Sequence, residues 1–293
     1  MGEFNKKWTD TVRDKKSMVV AGADPKPGTP NLPEWAAGFV REVGSRVAGI
    51  KPNLAFYPGE EGSEALEVIT DFAKDNGIVT IRDNKAADIG STNDAWAESA
   101  VKQGFDAMTI APYAGNGPEA IKSLKSKGLG GITMGIMSNP EFGNEARFSK
   151  IDPQLWKEAV DRLVEERGLE VALSILRENP NFVDGIAVEL WEDRANKALE
   201  VGVDTFVLGA TKTEDPLFKR FLGVTKEHDV TYLVPGLGAQ GGDINTFLDA
   251  MREHGVDPRR VMLNFGRSMM YPKSGTRGEE AQRLQEICQE HLR

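Results

Sequence analysis

The chain has 293 residues, long for an average domain but ordinary for a single β/α barrel. Hydrophobic residues make up 40% and charged residues 28%, the balance of a globular protein that can bury a large core. The net charge of -9 argues against nucleic acid or an anionic membrane as partner, so an anionic ligand must be held by local cations that overcome the general field.

Met1–Ser17 is charged and lacks an apolar run, so no signal peptide is expected, and no segment reaches the ~18 apolar residues of a membrane span. Short apolar, β-branched runs then alternate with amphipathic ones. A strand is expected over Met18–Ala23, a helix over Leu32–Arg46, a strand over Gly49–Phe56 and a helix over Ser63–Asn76. The alternation continues with a strand over Ile78–Arg82, a helix over Thr92–Gln103, a strand over Ala107–Ala111, a helix over Pro118–Lys127 and a strand over Gly131–Met137. Asn139–Asp184 interrupts it. This charged segment has helical periodicity over Pro153–Arg177 and reads as an insertion on a βα loop. It is either a solvated excursion, a cover over a site or a surface for a partner. The pattern resumes with a helix over Asp193–Val201, a strand over Thr205–Gly209, a helix over Glu214–His228 and a strand over Thr231–Val234. Asp243–His254 reads as a helix, Val261–Phe265 as a strand and Thr276–His291 as a closing helix. Eight strands alternating with helices imply parallel βαβ units and a closed (β/α)8 TIM-type barrel, with an open doubly wound sheet as the rival. No internal repeat or linker is visible, so residues 1–293 read as one domain containing the 139–184 insertion.

Cys288 is the one cysteine, which excludes a disulfide within the chain and fits a reducing cytoplasm. His228, His254 and His291 are scattered without metal-ligand spacing, so no metal site is expected.

The chemistry-bearing residues collect at predicted strand ends. In Ile78–Lys85, Asp83 and Lys85 are two apart and point the same way if the strand alternates, with Asp88 just beyond. At the C-terminal end of a barrel strand they form an acid–base–acid array in which a desolvated lysine stays protonated and can act as a general acid. The bare pattern is equally consistent with a surface salt bridge. Lys51 lies within an apolar strand, where a charge is costly unless paired or snorkelling to the rim. Asp24 follows the first strand, so three consecutive strands bring charge to one face. Pro235–Asp243 after the seventh predicted strand is glycine-rich, and Gly266-Arg267 follows the eighth. Loops at these places bind phosphate in many barrels: glycines admit backbone N–H groups and an arginine adds a bidentate cation.

Assembled, these residues resemble the orotidine 5′-phosphate decarboxylase family over nearly the whole chain outside the insertion. Asp83-x-Lys85-x-x-Asp88-Ile89-Gly90 followed by Thr92 resembles its D-x-K-x-x-D-I-x-x-T signature. Gly49-Ile50-Lys51-Pro52-Asn53 resembles the version in one bacterial branch, Met137-Ser138-Asn139-Pro140 its pyrimidine-reading segment, and Gly209-Ala210-Thr211 its G-A-T strand end. The resemblance implies a cofactor-free decarboxylation of orotidine 5′-phosphate to uridine 5′-phosphate in pyrimidine biosynthesis. It implies Lys85 as proton donor to C6, Asp83 beside the substrate carboxylate, and Lys51 bridging Asp83 and the ribose. Asp24 would bind a ribose hydroxyl, Ser138 the pyrimidine, Gln240 both base and phosphate, and Gly266 and Arg267 the phosphate. Asp88, Ile89 and Thr92 would complete a neighbour's site in a homodimer. The insertion after Ser138 is longer than the family pattern leads one to expect. A sugar-phosphate decarboxylase or aldolase sharing the D-x-K-x-x-D array, and a non-catalytic nucleotide-binding barrel, are the alternatives.

Overall fold

The computed structural model describes residues 2–139, 149–151, 153–178, 187–238 and 241–293. Its first helix, α1 (Glu3–Lys15), is followed by β1 (Val19–Gly22), α2 (Leu32–Val43), β2 (Gly49–Lys51), α3 (Gly59–Asp75), β3 (Val79–Ala86) and α4 (Gly90–Lys102). Next come β4 (Ala107–Ile110), α5 (Gly117–Ser126) and β5 (Gly130–Ile136). After these lie β6 (Ser149–Ile151), α6 (Pro153–Arg167), α7 (Leu169–Glu178), β7 (Ala187–Glu189) and α8 (Leu190–Glu200). The chain ends with β8 (Thr205–Leu208), α9 (Pro216–Thr225), β9 (Thr231–Val234), α10 (Ile244–Glu253), β10 (Val261–Phe265), α11 (Arg267–Met270) and α12 (Arg277–His291).

Eight parallel strands close a barrel in the order β1-β10-β9-β8-β5-β4-β3-β2, which is the TIM-type fold expected and not the open sheet. Strands such as Val19–Gly22, Ala107–Ile110 and Thr231–Val234 are buried at every position, because barrel strands face the interior on one side and helices on the other. The helices begin where their sequences specify it. Asn31, Asp215 and Asp243 each accept a backbone N–H as N-cap, and Thr276 and Glu279 form a capping box ahead of α12. Cys288 in α12 is fully buried, and burial pushes its thiol up to about 11, so it stays protonated.

The second strand is shorter than expected. Pro52 removes a ladder donor after Lys51, and Leu54–Phe56 forms a 3-10 turn in place of extended chain. The N-terminal segment, whose charge masked its pattern, is the helix α1. Its Phe4, Trp8 and Val12 are buried, the first two against the N-terminal ends of strands. The Phe4 ring sits where a Cβ on Gly130 would come within 2.4 Å of it, and the Trp8 ring approaches the corresponding position of Gly49 at 3.4 Å. Asn5 ties this plug to β9 by donating to the Asp229 carbonyl and accepting from Thr231. The barrel is thereby filled from one end, and its other end is left for chemistry.

The chain divides into two compact units, one of residues 1–139 with 195–293 and one of residues 140–194. In the second, β6 and β7 pair antiparallel, with Ser149 opposite Glu189, and α6 and α7 carry the helical periodicity read from the sequence. β5 and β8, which flank this unit in sequence, are hydrogen-bonded neighbours in the barrel, with Ile132 opposite Thr205.

Candidate active site

The charged residues at the C-terminal ends of β1, β2 and β3 converge. Lys51 Nζ donates to Asp83 Oδ2 at 2.6 Å, and Lys85 Nζ donates to Asp83 Oδ1 at 2.6 Å. The side chains of Lys51 and Asp83 are 7% and 9% exposed while that of Lys85 is 44% exposed, so Lys85 is the cation that reaches open space. Burial alone would raise the Asp83 carboxyl. The charges and hydrogen bonds of Lys51 and Lys85 overturn this and hold it at about 2. Asp24 accepts the Asn53 N–H at 3.1 Å, and its carboxyl is raised by burial, opposed by the attraction of Lys51. Nearby, the buried Tyr57 hydroxyl donates to the Ala23 carbonyl at 2.6 Å and fixes the turn after β1.

Asp83 and Lys85 meet for a different reason from the simple alternation expected. The β3–β4 ladder shifts register between Arg82 and Ala86, and Lys85 has a φ of 45°, the left-handed region. For a non-glycine residue that conformation costs about 1 kcal/mol, and here Thr109 on β4 holds it. The Thr109 hydroxyl accepts the Lys85 N–H at 2.9 Å and donates to Asp83 Oδ1 at 3.0 Å. Thr109 escaped the reading of charged motifs. Its signal was a polar residue at an inward position of an otherwise apolar strand.

Arg82 was also passed over. It faces away from the barrel axis, is 4% exposed, and donates to the Trp96 carbonyl at 2.9 Å and to Ser99 Oγ at 3.2 Å on α4. Its guanidinium lies 5.2 Å from the Trp96 ring centre, and burial lowers its pKa to about 10.

Asp88 stands apart from the Lys51–Asp83–Lys85 cluster. It is exposed, its carboxylate accepts the Ile89 N–H at 2.7 Å, and its carbonyl accepts from Asn93 and Asn116. Ile89 is 69% exposed, and Thr92 lies in the first turn of α4 with its N–H on the Ile89 carbonyl.

The Ser138 backbone is gripped by the end of β8. A Cβ on Gly209 would lie 2.7 Å from the Ser138 nitrogen, so glycine is needed for the close approach, and Thr211 donates to the Ser138 carbonyl at 3.1 Å. The loop after β9 is laced to itself. Gly238 donates to the Gly242 carbonyl, Gly242 donates to the Gly236 carbonyl, and Gly236, Gly238 and Gly241 all have positive φ. Gln240 lies outside the described residues. Gly266 packs so closely on β1 that a Cβ on Gly22 would reach its Cα at 2.8 Å, and Arg267 is exposed at the start of α11. Gly238, Arg267, Ser268, Lys26 and Lys273 line a cavity of 650 Å³ at this end.

Residues 17–274 match the sequence model of the family described as orotidine 5′-phosphate decarboxylase / HUMPS. The orotidine 5′-phosphate decarboxylase of Natronomonas pharaonis is 28% identical, with 92% of this chain and 89% of that protein covered. That of Cupriavidus metallidurans is 27% identical, with 87% and 84% covered. Among solved structures, UMP synthase from Leishmania donovani superposes with a TM-score of 0.74 at 22% identity, covering all of this chain. The chain spans 57% of that protein's length. An orotidine-monophosphate decarboxylase assigned as putative in Toxoplasma gondii gives 0.70 at 22% identity, with 98% and 96% covered. The closed barrel, the array on β2 and β3 and the family match together show that the chain belongs to the orotidine 5′-phosphate decarboxylase / HUMPS family.

Proposed function

We propose that the chain decarboxylates orotidine 5′-phosphate to uridine 5′-phosphate. The carrying observation is one buried carboxylate, Asp83, hydrogen-bonded by two lysines on adjacent strands, with the second lysine open to the barrel mouth. Family membership and relatives of that name support the same reading. Loss of carbon dioxide breaks the bond at C6 of the pyrimidine and leaves an electron pair on that carbon. The Lys85 ammonium stabilises the developing charge and then delivers a proton to C6, and solvent restores the lysine. The array suits this because its charge is fixed before the reaction and needs no reorganisation during it. Asp83 lies beside the departing carboxylate in this reading, Lys51 spans Asp83 and the ribose, and Asp24 takes a ribose hydroxyl. Ser138 reads the pyrimidine, Gln240 joins base and phosphate, and Gly266 and Arg267 hold the phosphate, whose binding energy orders the reacting end.

The working form is a homodimer in which Asp88, Ile89 and Thr92 enter the neighbour's site. The exposure of Ile89 together with Trp96, Val101 and Tyr113 supports it, since these lie before and on α4 and in the turn after β4, whose Asn116 holds Asp88. Residues 139–184 are an excursion of a single barrel domain, which the adjacency of β5 and β8 supports. No helix among the described residues is long and apolar enough to cross a membrane, and the one cysteine, buried and reduced, suits a cytoplasmic location.

The test is the ultraviolet absorbance change on adding orotidine 5′-phosphate with EDTA present. Turnover is expected, and it should fall by a factor on the order of 10⁴ or more in Lys85→Ala, about 5 kcal/mol of transition-state stabilisation. Folded wild-type protein without turnover sinks the proposal. Mixing the inactive Lys85→Ala and Asp88→Ala chains tests the shared site: by symmetry, activity should recover to about a quarter of wild type. A mixture as inactive as its components would place Asp88 in its own subunit's site.

A further inference from the structure

The cavity at the phosphate end carries more positive charge than one phosphate requires. Lys26, Arg267, Lys273 and Arg283 line it against one carboxylate, Glu280, and that carboxylate is already bound by Nε and Nη2 of Arg283, each at 2.8 Å. Among the described residues no carboxylate pairs with Lys26, Arg267 or Lys273. Lys26 instead rests over the Tyr271 ring, 4.6 Å from its centre, which orients the ammonium without neutralising it. The Ser268 Oγ is buried without a hydrogen-bond partner, beside Gly238. In a protein of net charge -9, three unpaired cations gathered in one cavity oppose the general field. A phosphate monoester brings only about two negative charges. The volume of 650 Å³ also exceeds one phosphate group, which displaces only a few waters at ~30 Å³ each.

We propose that this cavity holds a second anion beside the 5′-phosphate, so that the protein binds nucleoside 5′-diphosphates as well as monophosphates. Arg267 takes the first phosphate, as in the proposed function on which this inference rests. Lys26 and Lys273 take the second, and the bound diphosphate competes with substrate.

Calorimetric titration of the full chain with uridine 5′-monophosphate and uridine 5′-diphosphate, in EDTA at fixed ionic strength, tests this. The diphosphate is expected to bind within about threefold of the monophosphate or more tightly, and the exposed pair Lys26→Ala/Lys273→Ala should weaken the diphosphate at least about tenfold while moving the monophosphate by no more than about threefold. A wild-type preference for the monophosphate above about tenfold, or a double variant that weakens both nucleotides alike, overturns it. If orotidine 5′-phosphate is turned over and the diphosphate is refused, the second anion position fails alone. If neither nucleotide binds and nothing is turned over, the decarboxylase reading fails with it.

Discussion

At the scale of residues, Thr109 decides whether the array is rigid. Its hydroxyl satisfies both the Asp83 carboxylate and the N–H of Lys85 in its left-handed conformation. Thr109→Val keeps the shape and leaves both groups without that partner, so unfolding free energy should fall by about 1–3 kcal/mol in urea titration. kcat should fall with it, because Lys85 loses its fixed aim; an unchanged kcat would show that the bulge holds itself. Asp83 also sets an acid limit. Its folded pKa of about 2 lies below the ordinary carboxylate value, so its contribution is complete above pH ~4 and is lost as pH falls from there toward 2. That loss is worth about 2 kcal/mol. Asp24, raised by burial, acts in the opposite sense, because protonating it favours the folded state. The stability lost between pH 5 and 2 should therefore be larger in the wild type than in Asp83→Asn, which lacks this carboxylate; equal losses would contradict the Lys51–Asp83–Lys85 pairing. The charged members of this cluster were legible in the sequence because charge in an apolar strand demands a partner. Thr109 and the bulge were not, since a hydroxyl in a strand is commonplace and a register shift leaves no compositional mark.

At the scale of elements, Arg82 fastens β3 to α4. Its two hydrogen bonds and its contact with Trp96 link the strand that carries Asp83 and Lys85 to the helix that follows Asp88 and Ile89. Arg82→Met should lower stability by about 1–2 kcal/mol, a few degrees in thermal midpoint. An unchanged midpoint would show that the cost of burying the guanidinium cancels its bonds. Most helices and strands were legible from periodicity, since barrel strands are short continuous apolar runs and their helices are amphipathic. Pro52 ended β2 earlier than its apolar composition suggested. α1 was missed because its buried face is only Phe4, Trp8 and Val12 with Asn5 and Thr11 among many charges, and that face acquires meaning only once a barrel end exists for it to fill.

At the scale of the whole molecule, the barrel is plugged at one end by α1 and reactive at the other. Trp8 is fully buried in that plug, so Trp8→Ala should cost about 3–5 kcal/mol in a denaturant titration. A cost below 1 kcal/mol, on the scale of a surface substitution, would mean that α1 is dispensable. The closed barrel was legible from the count of alternating elements, and the start of the second unit from the break in that alternation at Asn139; its end at residue 194, beyond the expected 184, was not, because it depends on which segments pack together. The adjacency of β5 and β8 has a further consequence, for folding kinetics. The Gly131 N–H bonds the Asp204 carboxylate across 73 residues of chain. Closing a loop of that length carries an entropy cost that grows with the logarithm of its length. If β6 and β7 pair first, bringing Ser149 opposite Glu189, the effective span is shortened and closure of the barrel wall is faster.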